Sequence, residues 1–417
     1  MTPARDRVVI TGVGVISALA DNVTALHEAL SRGESAVGDI TLFDRELSRG
    51  ARGAEIKDFD AKRYLGDVNL RPLDRTGQLA VCGAKGALEA SGWTREMREA
   101  VDVDLVLGTM FCCVRTNTQF DRATLVSGPK HIKPLDFANT VINSATGQTA
   151  IWHRLRGASM TICAGTTSGL HALQYAARRV ALGWSDAVLV GGVEELCFET
   201  WFGFAQSGHL QPIGDEGGPK PFSRGRNGFL PGEGSGYLML ESATAASARG
   251  APILGELAGW GSSYDPTRGA SQGGGIDAGT RAVASALAQA DISAAEIGCL
   301  GLSGNGSPNG DRDQACALRE VFGSRLSSVP AFALAGALGE TFGASGLLHA
   351  ITLLESGRMG LIPPSRSGEN DDASLPALRL SASPIDSAFL HGLVIANGFD
   401  GSTAAVVLKV NPGRLIP

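Results

Sequence analysis

A chain of 417 residues, 43% hydrophobic and 19% charged, carries enough apolar side chain for a large packed core and too little charge for a disordered one. Its formal charge of −6 comes without a basic cluster that would follow a phosphate backbone, which argues against nucleic-acid binding. No apolar run reaches the roughly 18 residues that a membrane span needs, and the length suits one large α/β unit of two halves or roughly two to three average domains.

Met1-Thr-Pro-Ala-Arg-Asp-Arg leads straight into a strand, Arg7 to Ser17, so no signal peptide is expected. That run is continuously apolar, as in strands buried on both faces. A helical stretch, RTGQLAVCGAKGALEASG, precedes the next apolar run, Val103–Cys113. A short β-branched run, Met160 to Cys163, reads as a buried strand that breaks at Ala164-Gly165. Leu170, Leu173, Ala177 and Val180 then recur at helical spacing, with Thr167 or Ser168 as cap and Gly183 as the stop. A strand, a tight elbow and a helix N-terminus form a seat for a nucleophile, where the helix dipole favours a developing anion. The residue on that elbow is Thr166, a poor nucleophile unless a base activates it.

The run Asp186–Gly192 continues the pattern, and 205–235 follows as a polar, Gly- and Pro-rich loop of the kind that covers a site or crosses a structure. Gly236–Ser242 closes the first half, and Ala251–Ser263 starts the pattern again. A helix at AGTRAVASALAQADIS and strands at IGCLGLSGNGS, PAFALAGALG and FLHGLVIANGF complete the chain. Alternating strands and helices imply mixed or parallel sheets sandwiched by helices. The seven cysteines (Cys82, Cys112, Cys113, Cys163, Cys197, Cys299, Cys316) lack CxxC spacing, so neither a zinc site nor a disulfide framework is expected. Reduced, buried thiols of a cytoplasmic protein are.

Several strings stand in a telling order: VVITGVGVIS, TTSGLHAL, DAVLVGGVEE, PFSRGRNGFLPGEGSGYLMLE, SGNGSPNGD, GETFGASG and NGFDGSTAAVVL. In order, spacing and wording the chain resembles the β-ketoacyl synthases of the thiolase fold over essentially its whole length. The resemblance implies a five-layered αβαβα sandwich of two similar halves, residues 1–250 and 251–417, with no cofactor and no metal. That family condenses acyl chains with a Cys-His-His set. Its elbow Cys lies five residues before a His; here that His is His171, a scaffold position, and the nucleophile position is Thr166. The first catalytic His falls on Ser303, opening Ser303-Gly-Asn305-Gly-Ser-Pro-Asn-Gly-Asp311. The second falls on Glu340, and the Lys of the same motif on Ala335. Cys163, the nearby thiol, sits on the strand pattern, where buried inert thiols are usual.

A hydroxyl without a base does not match a thiolate, whose pKa near 8.5 proteins lower further. The two histidines would also stabilise the enolate left by malonyl decarboxylation. An ionised Glu340 would repel that enolate by about 4 kcal/mol at about 4 Å and an effective dielectric of about 20, or roughly a thousandfold in rate. A buried carboxylate there must be paired, hydrogen-bonded or protonated; Ser303 or Asn305 is the expected partner, with an ordinary structural ion pair elsewhere as the other reading. The resemblance then narrows to the chain-length factors, or KSβ subunits, of bacterial type II polyketide synthases, with Thr166 pointing to the polyene-type branch. Such a subunit pairs with an active ketosynthase, receives chains on an acyl carrier protein and shapes the tunnel that holds them. Met110, Phe111, Cys112 and Cys113 are the implied tunnel-lining residues, with plain core packing as the other reading. Gly398-Phe399-Asp400-Gly401-Ser402-Thr403 is the gate loop, in which Asp400 replaces a small or apolar residue. Two further readings stay open: an altered acyltransferase or hydrolase using Thr166, and a homodimeric scaffold that binds carrier protein.

Overall fold

In a computed structural model of the chain, which describes residues 6–44, 50–215, 217–267, 274–366 and 372–411, ten strands form one continuous sheet. In chain order they are β1 (Val8–Ser17), β2 (Asp104–Gly108), β3 (Ser159–Ile162), β4 (Ala187–Glu194) and β5 (Gly234–Ser242), then β6 (Gly255–Tyr264), β7 (Ile297–Leu302), β8 (Ala331–Ala333), β9 (His391–Asn397) and β10 (Ser402–Val410). The first five lie in the order β3-β2-β4-β5-β1 and the second five as β8-β7-β9-β10-β6, the same order repeated. Parallel pairing on the outer side and antiparallel pairing on the inner side also repeat. The two sets meet only at Val9 opposite Glu256 and Ile10 opposite Gly255. This is the thiolase-type sandwich of two similar halves.

The helices that carry the argument are α1 (Arg75–Ala90), α2 (Val114–Ser127), α3 (Ser144–His153), α4 (Ser168–Ala181), α5 (Phe198–Gln206), α6 (Gly274–Ala290), α7 (Pro308–Phe322) and α8 (Ser345–Met359). Leu170, Leu173 and Val180 of α4 share one core with Leu347, Ile351 and Leu354 of α8 and with Val190, Leu238, Val394 and Val406 of the sheets. α8 is buried from Ser345 to Gly357, as a helix covered on all sides must be. Glycines on the first strand of each set admit the outer helices. A Cβ at Gly12 or Gly14 would strike the backbone of Ala87 or Gly83 in α1, and one at Gly259 or Gly261 would strike Ala286 or Ala282 in α6.

Three strand expectations need correction. PAFALAGALG yields only the short β8, because Ala335–Leu338 turn into a helix. Val103–Cys113 does not run as one strand: β2 stops at Gly108, because the N–H groups of Met110, Phe111 and Cys112 turn to the Glu194 carboxylate. Met160–Cys163 is not a buried strand either. β3 lies at the sheet edge with one neighbour, is half-exposed, and leaves Cys163 exposed. The cysteines are free thiols. Met1–Arg5, on which the reading of the N-terminus rests, lie outside the described residues. Among the described residues no helix is long and apolar enough to cross a membrane, and no three His, Cys, Asp or Glu side chains gather as metal ligands would.

Candidate functional site

The elbow forms as its residues dictate. Gly165 takes the left-handed conformation at φ 59°, and the chain enters α4 after Thr167. Neither hydroxyl caps that helix. Thr167 Oγ1 donates back to Ala164 O (2.6 Å), while Ser168 Oγ accepts from Ala164 N (2.8 Å) and donates to Gly165 O (2.6 Å). Thr166 is 4% exposed and its Oγ1 donates to Asn397 O at 3.1 Å. Its partner is a carbonyl oxygen, which takes no proton. His171 lies one turn into α4, its Nδ1 3.1 Å from Thr167 O, with burial pushing its pKa down.

Ser303 follows β7, and Asn397 ends the neighbouring β9. Ser303 Oγ accepts from Gln314 Nε2 (3.0 Å) and Asn397 N (3.1 Å), and Gln314 Nε2 also donates to Asn397 Oδ1 (2.7 Å). Thr166 and Ser303 are therefore joined through the backbone of Asn397 in a neutral brace. Glu340 is 3% exposed. Its Oε2 accepts from Asn305 Nδ2 and its Oε1 from Phe342 N, each at 2.8 Å. Of the two partners expected for it, Asn305 holds Glu340 and Ser303 does not. Burial pushes the Glu340 carboxyl up to about 7 against those two hydrogen bonds, with the Asp311 charge adding to the rise. Asp311, in the first turn of α7, accepts from Phe222 N (2.7 Å) and Asn305 N (3.0 Å) and is pushed up to about 6 by its own burial.

A cavity of about 20 Å³ lies beside Ser303, lined also by Asn305, Asp311, Gln314, Asn397 and Phe399, room for about one water. Phe399, two residues past the Asn397 carbonyl that takes the Thr166 hydroxyl, belongs to an aromatic group. Phe204 stacks on Phe342 with centroids 5.3 Å apart and meets Phe229 at 5.1 Å, Phe399 at 5.5 Å and Phe111 at 5.8 Å. His209 closes one side, 5.6 Å from Phe399. The polar 205–235 loop does cross the site: it supplies Phe229, and Leu230 O accepts from Glu340 N at 2.8 Å.

Glu194, at the end of β4, shapes the opposite wall. It is fully buried and accepts from Met110 N (2.7 Å), Phe111 N (2.9 Å), Cys112 N (3.1 Å), Thr109 Oγ1 (3.1 Å) and Gly343 N (3.2 Å). Of the implied tunnel residues, Phe111 joins the aromatic group, and the Met110 carbonyl accepts from the Cys163 thiol at 3.5 Å. Cys112 packs into the core beneath α1, and Cys113 Sγ accepts from Asn117 Nδ2 at 3.3 Å. Asp400 in the gate loop accepts from Ser402 N (3.0 Å) and Ser402 Oγ (2.6 Å), and Ser402 Oγ sits 2.9 Å from Thr167 Oγ1. Sequence reasoning missed Phe204, Phe229, Phe342, His209 and Gln314. Their spacing carries no local signal, since only the folded chain brings positions 204, 342 and 399 together.

The models of the β-ketoacyl synthase N-terminal and C-terminal domains match residues 5–246 and 254–369. The chain belongs to the β-ketoacyl synthase family. It is 27% identical over 410 residues to the 3-oxoacyl-[acyl-carrier-protein] synthase 2 of Vibrio harveyi, covering 97% of this chain and 99% of that protein. Over 372 residues it is 31% identical to the synthase 2 of Coxiella burnetii, 88% of this chain and 89% of that one. Among solved structures, the ishigamide ketosynthase/chain length factor superposes with a TM-score of 0.89 at 27% identity, covering 98% of this chain and all of that one. A β-ketoacyl synthase from Burkholderia phymatum superposes at 0.90 with 24% identity, over 97% of this chain and all of its own, a likeness of fold. The relatives thus include both condensing enzymes and a ketosynthase/chain length factor.

Proposed function

We propose that the chain is a chain-length factor: a non-catalytic subunit that pairs with an active ketosynthase and shapes the tunnel for a polyketide chain borne on an acyl carrier protein. One observation carries the reading. At the three positions where the family holds Cys-His-His, this chain holds a hydroxyl donating to a carbonyl, a serine inside a neutral brace and a buried carboxyl. Attack on a thioester needs a nucleophile with a proton acceptor within reach, and the Thr166 hydroxyl has only a carbonyl oxygen as its partner. The likeness to the ishigamide ketosynthase/chain length factor supports the same reading.

The edge of the sheet supports a partner. β3 presents an unpaired side, and Ile151 on the adjoining α3 is 72% exposed. Leu125 and Val126 at the end of α2, and Phe137, whose ring lies 6.0 Å from Phe120 of that helix, are exposed too. Open edges and apolar patches of this kind mark contact surfaces. Co-expression with a ketosynthase that carries an intact Cys-His-His set tests the proposal. A 1:1 complex that elongates carrier-bound chains, needs both subunits and is indifferent to Thr166→Ala is the expected result. A homodimer that loads an acyl group by itself, and loses the ability with Thr166→Ala, overturns it.

A further inference from the structure

Where this chain departs from its family at Glu340 and Asp400, it does more than drop a base and a gating residue. Each carboxylate holds one wall of the aromatic group that fills the seat. Glu340 Oε1 accepts the N–H of Phe342, a non-glycine residue held in the left-handed conformation at φ 45°. Bulky residues keep such conformations only where their surroundings enforce them, and they cluster at sites with a function. The other oxygen is anchored to Asn305 Nδ2, and Gly343 N is tied to Glu194 at 3.2 Å, so the segment carrying Phe342 is strapped on both sides. Asp400 Oδ1 closes the turn after β9 by accepting from Ser402 N and Oγ, and Ser402 Oγ lies 2.9 Å from Thr167 Oγ1, which donates to Ala164 O on the elbow. That contact sets the loop bearing Phe399 against the backbone of the elbow.

We propose that Glu340 and Asp400 are positioning residues that shut this subunit's own acyl seat, by pinning Phe342 and Phe399 against Phe204 and Phe229. The shut seat takes no acyl chain, which leaves the growing chain to the partner's site and to the tunnel between the subunits. The inference rests on the proposed chain-length-factor reading and states how the vacated site is kept closed.

Titration of the full-length chain with an octanoyl-pantetheine thioester, followed by calorimetry and by intact-mass analysis, tests it. The wild type is expected to bind the probe undetectably. Glu340→Ala combined with Asp400→Ala frees both walls and gains affinity by about tenfold or more. Asp400→Ala alone loosens the Phe399 wall and gains part of that affinity, whereas Asp400→Asn, which keeps the Oδ1 acceptor, stays closed. Phe342→Ala with Phe399→Ala trims the rings while both locks stay in place, and it also opens the seat, so the test survives if the first variant does not fold. Folded variants of both kinds that bind no better than the wild type overturn the inference and leave the non-catalytic reading standing. An acyl adduct on Thr166 of the wild type overturns both.

Discussion

Glu340 shows how burial resets the chemistry of a carboxyl group. Burial raises its carboxyl to about 7, so between the ordinary carboxylate range near 4.5 and about 7 the folded chain binds a proton that the unfolded chain releases. Its contribution to stability is complete below about 4.5 and declines as pH rises toward 7, by about 3 kcal/mol for a displacement of that size. Glu340→Gln cannot titrate. Melting temperature measured from pH 5 to pH 8 should fall less steeply in that variant than in the wild type, and equal slopes would contradict the assignment. Glu194 makes a second prediction. Its oxygens accept four backbone N–H groups and one hydroxyl. Glu194→Gln turns one acceptor oxygen into a donor facing donors, which should cost about 1–3 kcal/mol or more in chemical denaturation. The family was legible because the glycine-rich strings around Thr166, Ser303 and Glu340 stand in its order. The grouping of Phe204 with Phe342 was not, because a linear string does not distinguish a ring in that group from a ring elsewhere in the core.

At the scale of elements, the repeated strand order rests on repeated small residues. Gly14 of β1 and Gly261 of β6 let α1 and α6 approach until a Cβ has no room against the helix backbone. Gly14→Ala and Gly261→Ala should each overpack the layer by about 1–3 kcal/mol, read as a lower denaturation midpoint. Gly147 in α3 meets nothing within 4 Å, so Gly147→Ala should instead stabilise the chain by about 0.5–1 kcal/mol. If all three lower the midpoint equally, close approach is not the cause. The strands β1, β4 and β5 follow apolar runs that any reading finds. The end of β2 does not, since the run continues to Cys113 and only the distant Glu194 carboxylate turns the backbone away. β3 was misjudged for a related reason: β-branched residues suit an edge strand as well as a buried one, and its exposure depends on which strands lie beside it.

For the whole molecule, the open edge of β3 and the apolar side chains around it set the expected behaviour in solution. Ile151→Glu places a charge on an exposed residue that makes no core contact, so the melting temperature of the chain should stay within about 1 °C, as for most surface changes. The same substitution should weaken association with the ketosynthase proposed as its partner by tenfold or more, or about 1.4 kcal/mol. Gel filtration and titration of the two subunits would check both. Unchanged affinity would place the partner on another face.

By itself the sequence determined the α/β class, the repeat of two halves and the family. Periodic burial and glycine spacing write those features locally, in strings that can be read one at a time. Only the tertiary structure decided that Asn305 rather than Ser303 holds Glu340, that Asn397 takes the Thr166 hydroxyl, and that Phe111, Phe204, Phe229, Phe342 and Phe399 form one aromatic group. Those contacts join residues 25 to 231 positions apart, and hydrogen bonding and ring packing depend on distance and direction, which no one-dimensional pattern contains.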